Sequence, residues 1–479
     1  MEERMSSLIK NSSSSCVAAR RRIGRAARVA AACAGALLAG AAGAQDLGLK
    51  APAQAEPVVI HGATVHTVSG PVLRDAWVYF DQGAIVGLGD GPMPRFARPP
   101  RMIDGAGRHV YPGLVTPYSQ LGLTEIQAVR ASLDMSESGQ ATPEVRAVVA
   151  VNPDSTLIPV TRSNGVLVAG VFPQVSLGGL SSFFEGPGGL IPGRAGVIRL
   201  EGWTYEDMAV VEDAGLVVNW PQSRPISAPW MDRSDEEQTG DADRALRTLE
   251  ALFAGAKSYA AARAADPSLP ADLRFAAMQA LFAAGPAQRP VFMVANDAEQ
   301  IRAAVSFCQK HGVRCVIVGG RDAEACADLL RRHDVPVIIS GGTARFPRRD
   351  DMPYDEPYTL PARLEAAGVR WALANGDDTA HERNLPYAAA LAVAHGLAPD
   401  AALRGITLNA AQILGVGDRY GSLETGKSAT LFIADGDILE VATNVESVFV
   451  DGRAVDMDDK HKALERKYRE KYRQQRGGR

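Results

Sequence analysis

Tyr111-Pro112-Gly113-Leu114-Val115-Thr116-Pro117-Tyr118-Ser119-Gln120-Leu121-Gly122-Leu123 is the stretch on which the reading of this chain turns. It stands between a run of short strand patterns and a long region in which strands and helices alternate. Its positions 116, 118 and 120 carry a threonine, a tyrosine and a glutamine.

Toward the N-terminus, from Pro57 to Val110, the pattern is strands without helices. Val58-Val59-Ile60 is followed by Ala76 to Phe80, and then by Gly83 to Val86 after the turn Asp81-Gln82-Gly83. The same pattern returns at the other end in Ala429 to Ile433 and Val445 to Gly452. Neither half is long enough to bury its own sheet, so the two ends are predicted to complete one β-sandwich.

Between them, from about Leu114 to about Leu423, buried apolar runs alternate with amphipathic helices, the signature of parallel βα units. Val291 to Ala295, Val313 to Val318, Val335 to Ile339 and Trp371 to Ala374 read as strands. Ala298 to Gln309, Ala323 to Arg332 and Pro386 to His395 read as helices. Asn164 to Ala169 is a further strand, and Gly178 to Gly202 reads as an irregular or β insertion. Ala245, Leu246, Leu249, Leu252, Phe253 and Ala256 follow helical spacing and give one apolar face. Eight strands are expected, of which six can be marked.

The chain has 479 residues, 46% hydrophobic and 22% charged, which suits a large barrel with an appended small domain. Residues 1–44 are set apart. Arg20, Arg21, Arg22, Arg25 and Arg28 precede an apolar run from Val29 to Ala42, and Ala42-Gly43-Ala44 reads as a cleavage site, so export is expected. That run is shorter than the roughly 20 residues of a membrane span. The twin-arginine route and lipid attachment at Cys33 are both poor matches. Residues 1–44 hold seven basic and two acidic residues, leaving 44 basic against 53 acidic in the remainder, a net charge of −9 that argues against a nucleic-acid partner. Only Cys308, Cys315 and Cys326 remain, and they are read as buried thiols. In the basic tail, Leu464, Tyr468 and Tyr472 form one helical stripe, expected to pack back on the body.

The chain resembles the imidazolonepropionase-like amidohydrolases over nearly the whole of the part after residue 44. The resemblance rests on His61-Gly62-Ala63-Thr64-Val65, Ile103-Asp104-Gly105-Ala106-Gly107, Tyr111-Pro112-Gly113, Asn409-Ala410-Ala411-Gln412-Ile413-Leu414-Gly415, Gly421 to Ala429, and Val448 to Arg453. Each motif is weak alone; their order and spacing together are specific. The resemblance implies an α/β fold, a TIM-like (β/α)8 barrel with a small β-sandwich domain built from both chain ends. It also implies a metal at the C-terminal mouth of the strands.

In the family, the stretch quoted first reads Pro-Gly-Leu-(Ile/Val)-Asp-x-His-x-His-Leu-Gly. Here Thr116 stands at the Asp position and Tyr118 and Gln120 at the two histidine positions. The family's further histidines follow strands 5 and 6, where this chain has Asn296 and Gly319. Its aspartate after strand 8 corresponds to Asp377, so one of five expected groups remains, and a lone carboxylate does not hold a catalytic zinc. Of the histidines, His381 alone lies near that aspartate. Asp377, Asp378 and His381 could take a cation weakly, the simpler alternative being that Asp378 caps a helix and His381 is solvated. Glu125 and Asp297 are further carboxylates on the mouth side.

These readings divide the chain into a leader (1–44), the first part of the sandwich (45–112), the barrel (113–423), the second part of the sandwich (424–457) and a basic helix (458–479). The expected function is that of an exported, catalytically reduced relative of metal-dependent hydrolases of non-peptide carbon–nitrogen bonds. It would act as a binding or partner subunit, with no resident cofactor and either self-association or pairing with a competent relative. The alternative is an active hydrolase of cyclic amides or dipeptide-like compounds, centred on Asp377 with or without a weakly held divalent metal.

Overall fold

Both chain ends contribute to one sheet. In a computed structural model, which describes residues 48–126, 129–175, 189–225, 233–341, 352–376 and 379–477, the N-terminal part supplies five strands. They are β1 (Val58–His66), β2 (Val72–Asp81), β3 (Ala84–Gly89), β4 (Arg101–Asp104) and β5 (His109–Pro112). The leader, residues 178–188 of the glycine-rich insertion, Asp377 and Asp378 lie outside the described residues.

Eight strands follow in the barrel: β6 (Leu114–Ser119), β7 (Val166–Val171), β8 (Gly193–Arg199), β9 (Ala209–Asn219), β10 (Pro290–Ala295), β11 (Arg314–Gly319), β12 (Val337–Ile339) and β13 (Trp371–Leu373). The chain then returns to the first sheet with β14 (Leu431–Ala434), β15 (Val445–Val450) and β16 (Arg453–Val455). Strand β14 pairs antiparallel with β5, Leu431 opposite Pro112 and Ala434 opposite His109. The order is β16-β15-β14-β5-β1-β2-β3, with β4 also on β1. Phe80 on β2 meets Phe449 on β15 edge-on at 5.1 Å, although three strands separate β2 from β15 in the sheet. The single sheet therefore folds over on itself, and its core of Ile60, Val78, Phe80, Leu431 and Phe449 serves as a sandwich interior.

The barrel strands neighbour one another in chain order from β6 to β13. Val115, Val168, Val197, Val217, Phe292, Val294, Val316, Val318, Ile338 and Ala372 fill its interior. Helices pack outside. The principal ones are α1 (Leu157–Arg162), α2 (Asp235–Ala265), α3 (Ala298–His311), α4 (Glu356–Ala366), α5 (Leu385–Ala394), α6 (Leu408–Ile413) and α7 (Lys460–Gly477). Helix α2 opens with a capping box of Ser234 and Glu237 and buries Leu249, Phe253 and Ala256, the apolar face read from the spacing. Helix α6 touches both β6 and β13 and so seals the seam where the barrel closes.

Three differences from the sequence reading stand out. First, β8 runs antiparallel to both neighbours, and it and β9 are the strands that carry no clear signal in the sequence. Gly196 in β8 is there for close approach: a Cβ would fall 2.1 Å from the Val148 side chain. Second, α7 does not pack back along its length, since Leu464, Tyr468 and Tyr472 are 40%, 47% and 53% exposed. The helix is fastened at its start, where the Asp459 carboxylate accepts from the His461 and Lys462 amides. Lys471 lies over the Tyr468 and Tyr472 rings, which keeps the stripe in contact with its own cations. Third, Tyr118 is part of the barrel core. Cys308, Cys315 and Cys326 are free and buried. Among the described residues, no helix is long and apolar enough to cross a membrane.

Candidate functional site

All barrel strands but β8 run parallel, so their C-terminal ends open at one mouth. Beneath that mouth the interior is aromatic. Tyr118 is 1% exposed and meets Phe172 edge-on at 5.3 Å, and Phe172 meets Phe292 in the same way at 4.9 Å. Tyr118, expected at the pocket in place of a metal-binding histidine, is thus a floor residue packed by its ring.

Above this floor the strand ends carry uncharged polar residues. Gln120 follows β6, Gln174 lies just past β7, Asn219 ends β9, Asn296 follows β10, Gly319 ends β11, Ser340 follows β12 and Asn375 lies just past β13. Gln120, Gln174, Asn219 and Asn296 are 6%, 8%, 7% and 8% exposed. Arg321 and Asp322 come only after the Gly319-Gly320 pair.

Two of the positions singled out from the sequence do come together. Ala295 pairs with Gly319 across β10 and β11, and a Cβ at Gly319 would fall 2.5 Å from Asn296 Oδ1. Gly319 has φ of +101°, so a larger residue is disfavoured there by backbone and neighbour alike. The Asn296 backbone N–H donates to Gln300 Oε1 at 3.0 Å, and its carbonyl accepts from Asp322 N–H at 2.9 Å. Asp297 is a helix cap: it accepts from the Gln300 N–H at 2.8 Å in a capping box at the start of α3. Glu125 is held by Asn152 at 3.3 Å, and burial pushes its carboxyl above the ordinary value.

Thr116 has a partner the sequence does not signal. Its hydroxyl donates to Glu382 Oε2 at 3.0 Å, and Glu382 is fully buried in the 3-10 turn Thr379–Asn384, which packs against β6. The pair lies at the barrel seam. His381 lies in the same turn, where its backbone carbonyl accepts from Asn375 Nδ2. Five of the other histidines are engaged elsewhere. His66 Nε2 and His109 Nδ1 share a hydrogen bond of 2.9 Å in the β domain, His311 bonds Glu250 at 3.0 Å, His395 lies 3.5 Å from Asp355 and His461 bonds Arg383 at 3.0 Å. Gln174 and Asn219 escape a reading of the sequence, because the end of β7, just before Gln174, and the whole of β9, which Asn219 ends, have no clear pattern.

The donor set does not fit the metal that the fold implies. The described strand-end residues 118, 120, 296 and 319 are a core phenol, two amides and a glycine, which are poor metal donors, and among the described residues no group of three or more His, Cys, Asp or Glu is placed to hold an ion.

Comparison with known proteins agrees with this architecture. Residues 292–455, from within β10 through β16, match the amidohydrolase family. The amidohydrolase tasK of Hapsidospora irregularis is 24% identical over 434 residues, spanning 83% of this chain and 43% of that protein. An imidazolonepropionase of Syntrophobacter fumaroxidans is 39% identical over 82 residues, 16% of this chain and 19% of that one. The chain thus spans less than half the length of these curated relatives. A crystal structure of an amidohydrolase from Thermotoga maritima MSB8 has the same fold, with a TM-score of 0.71 at 22% identity over 83% of this chain and 99% of that one. The sequence match covers the second half of the barrel and the strands after it, and the barrel fold is shared, so on both counts this chain is similar to the amidohydrolases.

Proposed function

We propose that this chain is a catalytically reduced, exported member of the amidohydrolase family that binds a small molecule at the barrel mouth without a metal, as a binding or partner subunit. The observation that carries the reading is the donor set. Gln120, Asn296 and Gly319 stand at strand ends where metal-ligating side chains would be required, and Tyr118 is committed to the floor. A carboxamide oxygen is a weak ligand for the metals that favour imidazole, and a neutral phenol with a pKa of roughly 10 binds a metal only after losing its proton. Export rests on the leader composition alone.

Elemental analysis of the full chain, purified without chelators, tests the proposal. Less than about one-tenth of an equivalent of zinc, iron, manganese or nickel is expected. Stoichiometric metal that disappears in Asp377→Ala would instead establish an altered hydrolase centred on that carboxylate.

A further inference from the structure

We infer that, whatever the barrel mouth holds, the C-terminal helix α7 is a docking surface for an anionic phospholipid bilayer.

Helix α7 projects from the body. Every residue from Ala463 to Arg476 is exposed, and Leu464, Tyr468 and Tyr472 keep 40%, 47% and 53% of their surface in water. The helix is held at its first turn, where Arg383 bonds His461 Nδ1 at 3.0 Å, and its 18 residues span about 27 Å. At about 3.6 residues per turn, Lys467 and Lys471 run along one flank of the Leu464, Tyr468 and Tyr472 stripe, and Arg469 and Arg476 run along the other. The two glutamates of the helix are neutralised within it, Glu465 by Arg469 at 2.5 Å and Glu470 by Arg473 at 2.7 Å.

Charge says what covers this face. Residues 460–479 carry nine basic and two acidic residues, against 35 basic and 51 acidic in residues 45–459. Two such tails repel each other, which disfavours pairing of α7 with its own copy. A specific protein interface takes about 800 Å² per partner around an apolar centre, and a stripe one residue wide offers no such centre. A bilayer surface asks for less. Tyrosine rings seat at headgroup level, lysine stems lie along the apolar boundary with their ammonium groups among the phosphates, and each basic residue adds attraction to anionic lipid. Amphipathic helices with flanking cations lie in the plane of that boundary. The acidic remainder of the chain is repelled by the same surface, so attachment is confined to α7.

The test is co-sedimentation with vesicles of the chain from residue 48 onward, a compact unit in itself, so that the basic and apolar leader does not contribute. Vesicles of phosphatidylcholine and phosphatidylglycerol in equal parts should bind it about ten-fold or more tightly than phosphatidylcholine alone, and the difference should vanish at about 1 M salt. Ending the chain at residue 459, or combining Lys467→Glu with Lys471→Glu, should weaken binding to the anionic vesicles about ten-fold or more with Tm unchanged. Tyr468→Ser with Tyr472→Ser should weaken it about three-fold or more and leave the salt dependence in place. Equal binding to both kinds of vesicle, or binding that truncation at residue 459 leaves unchanged, would overturn the inference. So would absence of binding to anionic vesicles together with a dimer that truncation dissolves, which would assign α7 to a second copy of the chain.

Discussion

The two ends of the barrel solve opposite problems with polar groups. At the end away from the mouth the groups are charged, buried and paired. The Arg162 guanidinium bonds the Glu201 carboxylate and the Leu200 carbonyl, and Glu201 also accepts the Ala51 N–H at 2.7 Å. Arg199 pairs with Asp451, whose carboxylate further accepts from Tyr420 at 3.2 Å and from Ser428. These contacts join the barrel to the sheet built from the chain ends. At the mouth the strand ends carry the buried neutral carboxamides Gln120, Gln174, Asn219 and Asn296, beside the carboxylates Glu125 and Asp297. Barrels commonly place stability at one face and ligand chemistry at the other.

Removing one partner at the paired end should produce the largest loss. The side chains of Arg162 and Glu201 are 6% and 2% exposed, so Glu201→Ala leaves a buried guanidinium uncompensated and should cost about 3–5 kcal/mol in urea unfolding. A cost below about 1 kcal/mol would break the contrast with the mouth. Asp451→Asn comes next, at about 1.5–3 kcal/mol, because hydrogen bonds to a charged acceptor are lost. Burial alone would raise the Asp451 carboxyl, but Ser428 and Arg199 outweigh it and hold the group below the ordinary carboxylate value. A carboxylate with a depressed folded-state pKa contributes fully above its unfolded value of roughly 3.9, and its contribution is lost as pH falls through the folded value. The gap between wild type and Asp451→Asn should therefore stay constant at neutral pH and narrow below about pH 4, and a gap that does not narrow would sink this assignment. The smallest effect is expected from deleting residues 460–479. Their apolar stripe is about half exposed, so the stability measured by unfolding should move by no more than about 0.5 kcal/mol.

Much of the scaffold was legible in residue order. The alternation of Val291 to Ala295, Ala298 to Gln309 and Val313 to Val318 pointed to β10, α3 and β11 because fully buried parallel strands read as unbroken apolar runs. Strand β8 was hidden because Gly193 and Gly196 interrupt such a run, and their reason lies in close packing against Val145 and Val148, far away in sequence. Tyr118 shows the same limit at the site. Its place in the family-like stretch put it on the right strand, but only the rings of Phe172 and Phe292 turn it into floor. Gln174, Asn219 and Glu382 had no local signal at all, since glutamines, asparagines and glutamates are common on surfaces and nothing in their neighbours announces burial.

Sequence by itself gave the family resemblance, the expectation that both chain ends join in one β unit, and the residue types at positions 118, 120, 296 and 319, none of them a histidine. These are matters of residue type and order. Tertiary structure alone decided which of those residues is core and which is rim, that β8 runs against its neighbours, and that the buried carboxamides at the strand ends include Gln174 and Asn219. The physical reason is that burial and hydrogen-bond partnership belong to pairs of segments brought together by folding, and no single stretch of chain contains both members of the pair.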